Sequence, residues 1–150
     1  MLQLQPLLKA EITLAAPQEL GDTPAGRRRI IPITGGSFKG PLINGEILNN
    51  GADWQTVTAD GLAIIDTRYL LKLDDGELVY LQTRGVRYGP PEVMAEVAKG
   101  KPVDPSRYTF RLFMNFETSS KKYDWLNRAM GVGYAMRLGN AVVYDAYLLN

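Results

Sequence analysis

Two long β-forming runs, Leu62 to Leu73 and Glu77 to Tyr88, flank Asp74-Asp75-Gly76, and this pairing constrains the fold more than any other stretch. A three-residue connection with glycine in its last position suits a hairpin that needs one left-handed residue. With Leu73 opposite Glu77, Asp66 faces Arg84, Arg68 faces Gln82 and Leu70 faces Tyr80. A one-residue bulge would shift each of these pairs and exchange the two faces of the ribbon.

The flanking sequence reads as more of the same. Leu8, Ala10, Ile12 and Leu14 alternate with polar residues inside Leu2 to Ala15, a period of two that predicts a strand. Pro17 to Gly26 reads as a loop, and Arg28 to Ile33 as a strand that Pro32 demotes to an edge or irregular position. Gly35 to Trp54 (GGSFKGPLINGEILNNGADW) reads as two glycine-rich turns around a strand at Leu42 to Leu48. Trp54 to Thr58 is then a short strand, turned at Ala59-Asp60-Gly61. One helix is expected from Pro90-Pro91 to about Lys99, with prolines in the first turn and Gly100 as the stop.

Tyr108, Phe110, Leu112, Met114 and Phe116 return to strict alternation, Phe113 being the apolar exception on the opposite face. Ser119 to Asn127 is a loop or short helical turn, and Ala129 to Leu138 pairs with Ala141 to Leu149 around Gly139-Asn140. Eight or nine strands joined mainly by short turns predict an all-β antiparallel meander that closes into a single barrel with one short helix, occupying 1–150 as one domain.

The chain contains neither histidine nor cysteine. That removes the commonest general base, the Ser-His-Asp arrangement, thiolate chemistry and the usual zinc sites, so no metal and no cofactor are expected. Any chemistry rests on carboxylates, Tyr, Lys, Arg or Trp. A net charge of +1 gives no reason to expect nucleic acid, and no apolar run is long enough for a membrane helix. Arg27-Arg28-Arg29 is the one basic cluster and reads as decoration of a barrel rim. A cytoplasmic protein is expected.

Five pieces carry a resemblance. GGSFKGPLINGEILNNGADWQ and DTRYLLKLDDGELVYLQTRGVR, followed by GPPEVMAEVAKGKPVDPSRYTFR, NFETSSKKYDWLNR and VVYDAYLL, are similar to small bacterial and fungal proteins catalogued as domain of unknown function 3237. The resemblance covers nearly the whole chain. It implies a closed antiparallel barrel, calycin-like or allene-oxide-cyclase-like in outline, that often self-associates, so a homo-oligomer is expected. It implies no established activity. The chain departs from many of these relatives at Tyr88, where they carry histidine.

Candidate site residues follow from the hairpin register. Asp66 and Arg84 form a cross-strand pair with Arg68, Gln82 and Tyr80 on one face. The plainer reading is a solvated exterior; the functional one turns this face inward, leaving Ile65, Tyr69, Leu71, Val79 and Leu81 as an apolar exterior under the helix or a second subunit. Arg111 and Glu117 share a polar face, and Glu117 ends its strand close to the loop bearing Trp125, where a carboxylate could be desolvated. Asp53 and Asp60 read as turn residues bonding nearby amides. Trp54 reads as a core plug, with a ligand-stacking wall as the alternative.

The functional expectation is a small-molecule-binding barrel, carrying out cofactor-independent acid–base chemistry (isomerase, lyase or cyclase) on a carbonyl or aromatic compound. Asp66 or Glu117 would be the base and Tyr80 a proton donor. Arg84 or Arg111 would hold an oxyanion, with Arg68, Trp54 and Trp125 binding the substrate. The alternatives are a non-catalytic small-molecule binder and a structural or assembly module.

Overall fold

The computed structural model describes residues 1–150. Ten strands and one helix follow in order: β1 (Leu4–Leu14), β2 (Gln18–Thr23), β3 (Gly26–Lys39), β4 (Gly45–Ile47), β5 (Gly51–Val57), β6 (Ala63–Leu73), β7 (Leu78–Tyr88), α1 (Pro91–Ala98), β8 (Thr109–Glu117), β9 (Met130–Leu138) and β10 (Ala141–Leu149). β6 through β10 form a meander, β10 pairs with β1, and β1 pairs with β3. β4 and β5 share the remaining position between β3 and β6, so the ring closes on eight antiparallel staves.

The hairpin register holds as predicted: Asp66 lies opposite Arg84, Arg68 opposite Gln82 and Leu70 opposite Tyr80. Its faces are settled by burial. Ile65, Thr67, Tyr69 and Leu71 on β6, with Val79, Leu81, Thr83 and Arg87 on β7, are all buried. The face carrying Asp66, Arg68, Tyr80 and Arg84 therefore looks outward, in line with the plainer reading and against the functional one that turned it inward. Burying the aliphatic face removes more apolar surface from water and leaves the ion pairs hydrated, so the ordinary rule prevails.

Several segments differ from their sequence reading, Gly51 to Asp53 among them, which read as a turn and lie inside β5. The predicted loop at Pro17 to Gly26 contains β2, which pairs with the first half of β3, from Gln18 opposite Ile30 to Thr23 opposite Gly26. Its residues are mostly exposed, so an edge strand of this kind lacks an apolar alternation to read. β3 itself runs through Pro32, which sits where the neighbour on one side changes from β2 to β1. No ladder donor is needed at that gap, and the Pro32 carbonyl still accepts from the Ala15 amide at 3.0 Å.

Gly35 and Gly36 are part of β3 and not a turn before a strand. A β-carbon on Gly36 would stand 2.1 Å from the Glu11 carbonyl oxygen of β1. Glycine is what lets β1 and β3 approach closely enough to close the ring.

The interior is graded from end to end. Phe38, Ile43, Val79, Met114 and Leu126 are at most 2% exposed and fill one end. Tyr108, Phe110, Leu112, Met114 and Phe116 point inward from β8, as their alternation predicts. α1 follows β7 at the other end and tucks Val93 and Val97 into the same core.

Trp54 is neither a core plug nor a cavity wall. It is half-buried on the outer face of β5, opposite Ile30, with the Arg68 guanidinium 5.1 Å from its ring centroid. Trp54→Ala should therefore give a folded protein, destabilised by about 1–2 kcal/mol in place of the ~3–5 kcal/mol of a core tryptophan. Urea unfolding of Trp54→Ala, Arg68→Ala and the double variant checks this; an unfolded single variant would contradict it. Gly36→Ala tests the seam. It should cost about 1–3 kcal/mol more than Gly21→Ala, because Gly21 also has positive φ but an added methyl there meets nothing within 4 Å. Equal losses in the two variants would remove the close-approach argument.

Candidate functional site

The sequence-predicted site residues fall into three separate places. Asp66, Arg68, Arg84 and Trp54 gather on the outer wall, with Asp66 3.5 Å from the Arg68 guanidinium and 3.8 Å from that of Arg84. Solvent-exposed pairs of this kind contribute roughly 0–1 kcal/mol. Tyr80 and Glu117 are cross-strand neighbours on the same outer surface, and Glu117 is exposed. Arg111 is also outside, stacked 4.0 Å over the Tyr134 ring. Trp125 belongs to the 3-10 turn Asp124–Arg128 at the opposite end of the barrel, where it packs on the core. None of these side chains lines the interior cavity.

The polar groups that do line it come from inward positions. Asp53 and Gln55 are on β5, Thr67 and Tyr69 on β6, Thr83 and Arg87 on β7, Arg137 on β9 and Tyr144 on β10. The space is about 40 Å3, more than a single water needs, with Leu14, Ile31, Phe110 and Val142 among its apolar walls.

Asp53 is held by a chain of polar contacts running in from the rim. Glu19 lies 3.6 Å from Arg29. The Arg29 Nε donates to Gln55 Oε1 at 2.7 Å, and Gln55 Nε2 donates to Asp53 Oδ2 at 2.8 Å. Asp53 Oδ1 accepts the Asp66 backbone amide at 3.0 Å. The β5–β6 ladder passes from Asp53–Thr67 directly to Thr56–Ile64, and the carboxylate takes the place of a backbone carbonyl in that interval. Asp53 is only 7% exposed. Burial pushes its pKa upward, against the lowering effects of the Asp66 amide, Gln55, Arg87 and Arg29.

Arg87 is 8% exposed, and its Nε has no hydrogen-bond partner. Its guanidinium carbon lies 5.5 Å from the Phe110 ring centroid, a cation–π contact that partly offsets the burial. Burial, then repulsion from Arg137 and Arg29, pulls its pKa down to about 10, so it stays charged at neutral pH. Arg137 donates through Nε to the Gly139 carbonyl at 2.9 Å, and desolvation lowers its pKa too. Across the cavity the Tyr69 and Tyr144 hydroxyls share a hydrogen bond of 2.7 Å. Both rings are buried, and desolvation raises both phenol pKa values, keeping the pair neutral.

These residues were open to sequence reasoning through one signal. The alternation that assigns Val79 and Leu81 to the inner face of β7 also assigns Thr83 and Arg87 to it, two polar residues continuing an apolar row. Asp53 gave no such signal, because its glycine-rich surroundings read as a turn. No group of three or more Asp or Glu residues is arranged to hold a metal ion.

Several solved structures share this barrel. A β-barrel-like protein from Acinetobacter baumannii AYE is 59% identical, with a TM-score of 0.88 over 100% of this chain and 97% of that one. An enzyme from Penicillium herquei shares the fold at 23% identity, with a TM-score of 0.71 over 100% of this chain and 94% of that one. UPF0311 protein RPA1785 from Rhodopseudomonas palustris is 40% identical over 127 residues, which is 85% of this chain and 83% of the relative. The model of the family described as protein of unknown function (DUF3237) matches residues 2–149, and the chain belongs to that family.

Proposed function

We propose that the barrel binds a small carbonyl compound at its polar end and carries out cofactor-independent acid–base chemistry on it, of the isomerase, lyase or cyclase kind. The observation that carries this reading is Asp53, a buried carboxyl in a largely apolar cavity beside a buried arginine. Desolvation moves such a carboxyl toward the range where it can take and return a proton. Each of its oxygens accepts one hydrogen bond and keeps a second lone pair for substrate.

In this scheme Asp53 removes a proton from carbon next to the carbonyl and later returns it. Arg87 faces the oxyanion that develops, and the Tyr69–Tyr144 pair supplies a neutral donor. The outer-wall set of Asp66, Tyr80, Arg84 and Glu117 has no share in these steps. The same fold serves an enzyme in Penicillium herquei. A homo-oligomer in the cytoplasm goes with this reading: Phe113, Met130 and Tyr134 expose apolar surface on one side of the outer wall, where a second copy would cover it.

Exchange of carbon-bound hydrogen for deuterium, followed by NMR with enolisable ketones and aryl ketones in heavy water, tests the chemistry without knowledge of the product. Exchange should be catalysed by the protein and fall roughly 10²–10⁴-fold in Asp53→Asn, while Asp66→Asn and Glu117→Gln retain it. Saturable binding with no exchange in any compound would make the barrel a non-catalytic binder.

The pH dependence of stability provides a second check. Burial raises the folded-state pKa of Asp53 above its unfolded value, so the native state holds this proton more tightly. The contribution is therefore fully present below the unfolded pKa and is lost as pH rises through the folded one. Asp53→Asn has no such titration. The Tm of the wild type minus that of Asp53→Asn should fall as pH rises from about 4 toward neutrality. Asp75, Asp104 and Asp124, whose pKa values are lowered, are common to both proteins and cancel in the difference. A difference that is flat or grows with pH would contradict the assignment.

A further inference from the structure

We infer that the inner cavity is a carboxylate site, in which Arg87 and Arg137 receive the head group of a small monocarboxylic acid while its apolar body rests on Leu14, Ile31, Phe110 and Val142. This rests on the reading above that the cavity binds a small carbonyl compound, and it adds that the compound carries one carboxylate group.

Charge is the first argument. Three arginines converge on the cavity region with one carboxyl group, Asp53, and only Arg29 is neutralised by a partner, Glu19. Arg87 takes part in none of the protein's ion pairs. A guanidinium that is more than nine-tenths buried with an unpartnered Nε is costly to keep, and a buried cation is ordinarily paired. The planar fork of donors on arginine matches the two oxygens of a carboxylate. Arg137 adds a second positive charge, since Gly139 occupies only its Nε.

Size is the second argument. The space is small, about 40 Å3, and a flat carboxylate is a more compact head group to place beside the arginines than a tetrahedral phosphate. Leu14, Ile31, Phe110 and Val142 offer a surface to an apolar body, and the arginines are the only cationic groups in the lining. Asp53 remains on the opposite side of the charge balance.

Calorimetry with benzoate, phenylacetate and acetate, against benzamide as the neutral isostere and inorganic phosphate as the tetrahedral anion, tests the assignment. At least one carboxylate should bind saturably at millimolar concentration, with benzamide and phosphate weaker by roughly 10- to 100-fold. Arg87→Met should lose the same factor while its Tm in the absence of ligand rises, because a buried unpaired charge has been removed. A purely structural arginine would do the reverse. Equal binding of benzoate and benzamide, tighter binding of phosphate, or no carboxylate binding at all would each overturn the proposal. So would an Arg87→Met protein that is less stable with benzoate affinity unchanged. If Arg87→Met fails to fold, the acid-against-amide comparison on the unaltered protein decides. Carboxylate binding through Arg87 without hydrogen exchange would sink the acid–base reading alone. Hydrogen exchange without carboxylate preference would sink this proposal alone.

Discussion

Closure between β1 and β3 is the constraint on which the remaining structure depends. An open sheet of this length would expose two edges of unpaired amides and carbonyls and could not enclose an interior. The two strands meet where Glu11 presents its carbonyl to Gly36, a contact with no room for a side chain. Once the ring is shut, alternation along each stave sorts side chains without further instruction, one set inward and the next outward. The cavity, the buried Arg87 and the tyrosine pair are all products of that sorting.

The interior is not uniformly apolar, and its polarity is confined to one end. The filled end is packed by Leu7, Phe38, Ile43 and Leu126, which give the barrel its stability. At the other end, Thr67 and Thr83 hydroxyls meet at 2.5 Å, the two tyrosines share a hydrogen bond, and Asp53 is anchored by an amide and a glutamine. These groups satisfy one another, as buried polar groups must. Arg87 is the exception: its Nε has no hydrogen-bond partner.

The legible part of the fold was whatever depended on local chemistry. Asp74-Asp75-Gly76 specified the β6–β7 register to the residue, and the Pro-Pro opening and Gly100 bounded α1. Which face of β6–β7 points inward was also legible, because the apolar row Ile65, Tyr69, Leu71, Val79 and Leu81 follows the ordinary rule of burial, although the carboxylate, tyrosine and arginine on the other face kept a functional alternative open. β2 was hidden because an exposed edge strand needs no apolar period. The role of Gly35 and Gly36 was hidden because a glycine that permits close approach looks the same in sequence as one that permits a turn. Asp53 and Arg137 could not be joined from sequence, since only the closed ring brings β5 and β9 to one cavity.

The pairing of β1 with β10 carries a consequence for how the chain is assembled. Gln3 and Asn150 exchange two backbone hydrogen bonds, of 2.8 and 2.9 Å, across that seam. The first stave in sequence thus waits for the last, and the meander from β6 to β9 has no wall behind it until residues 141–149 arrive. Every nascent intermediate short of that length carries two open edges, and contacts at such separation form slowly. Closure of the ring therefore cannot precede synthesis of β10.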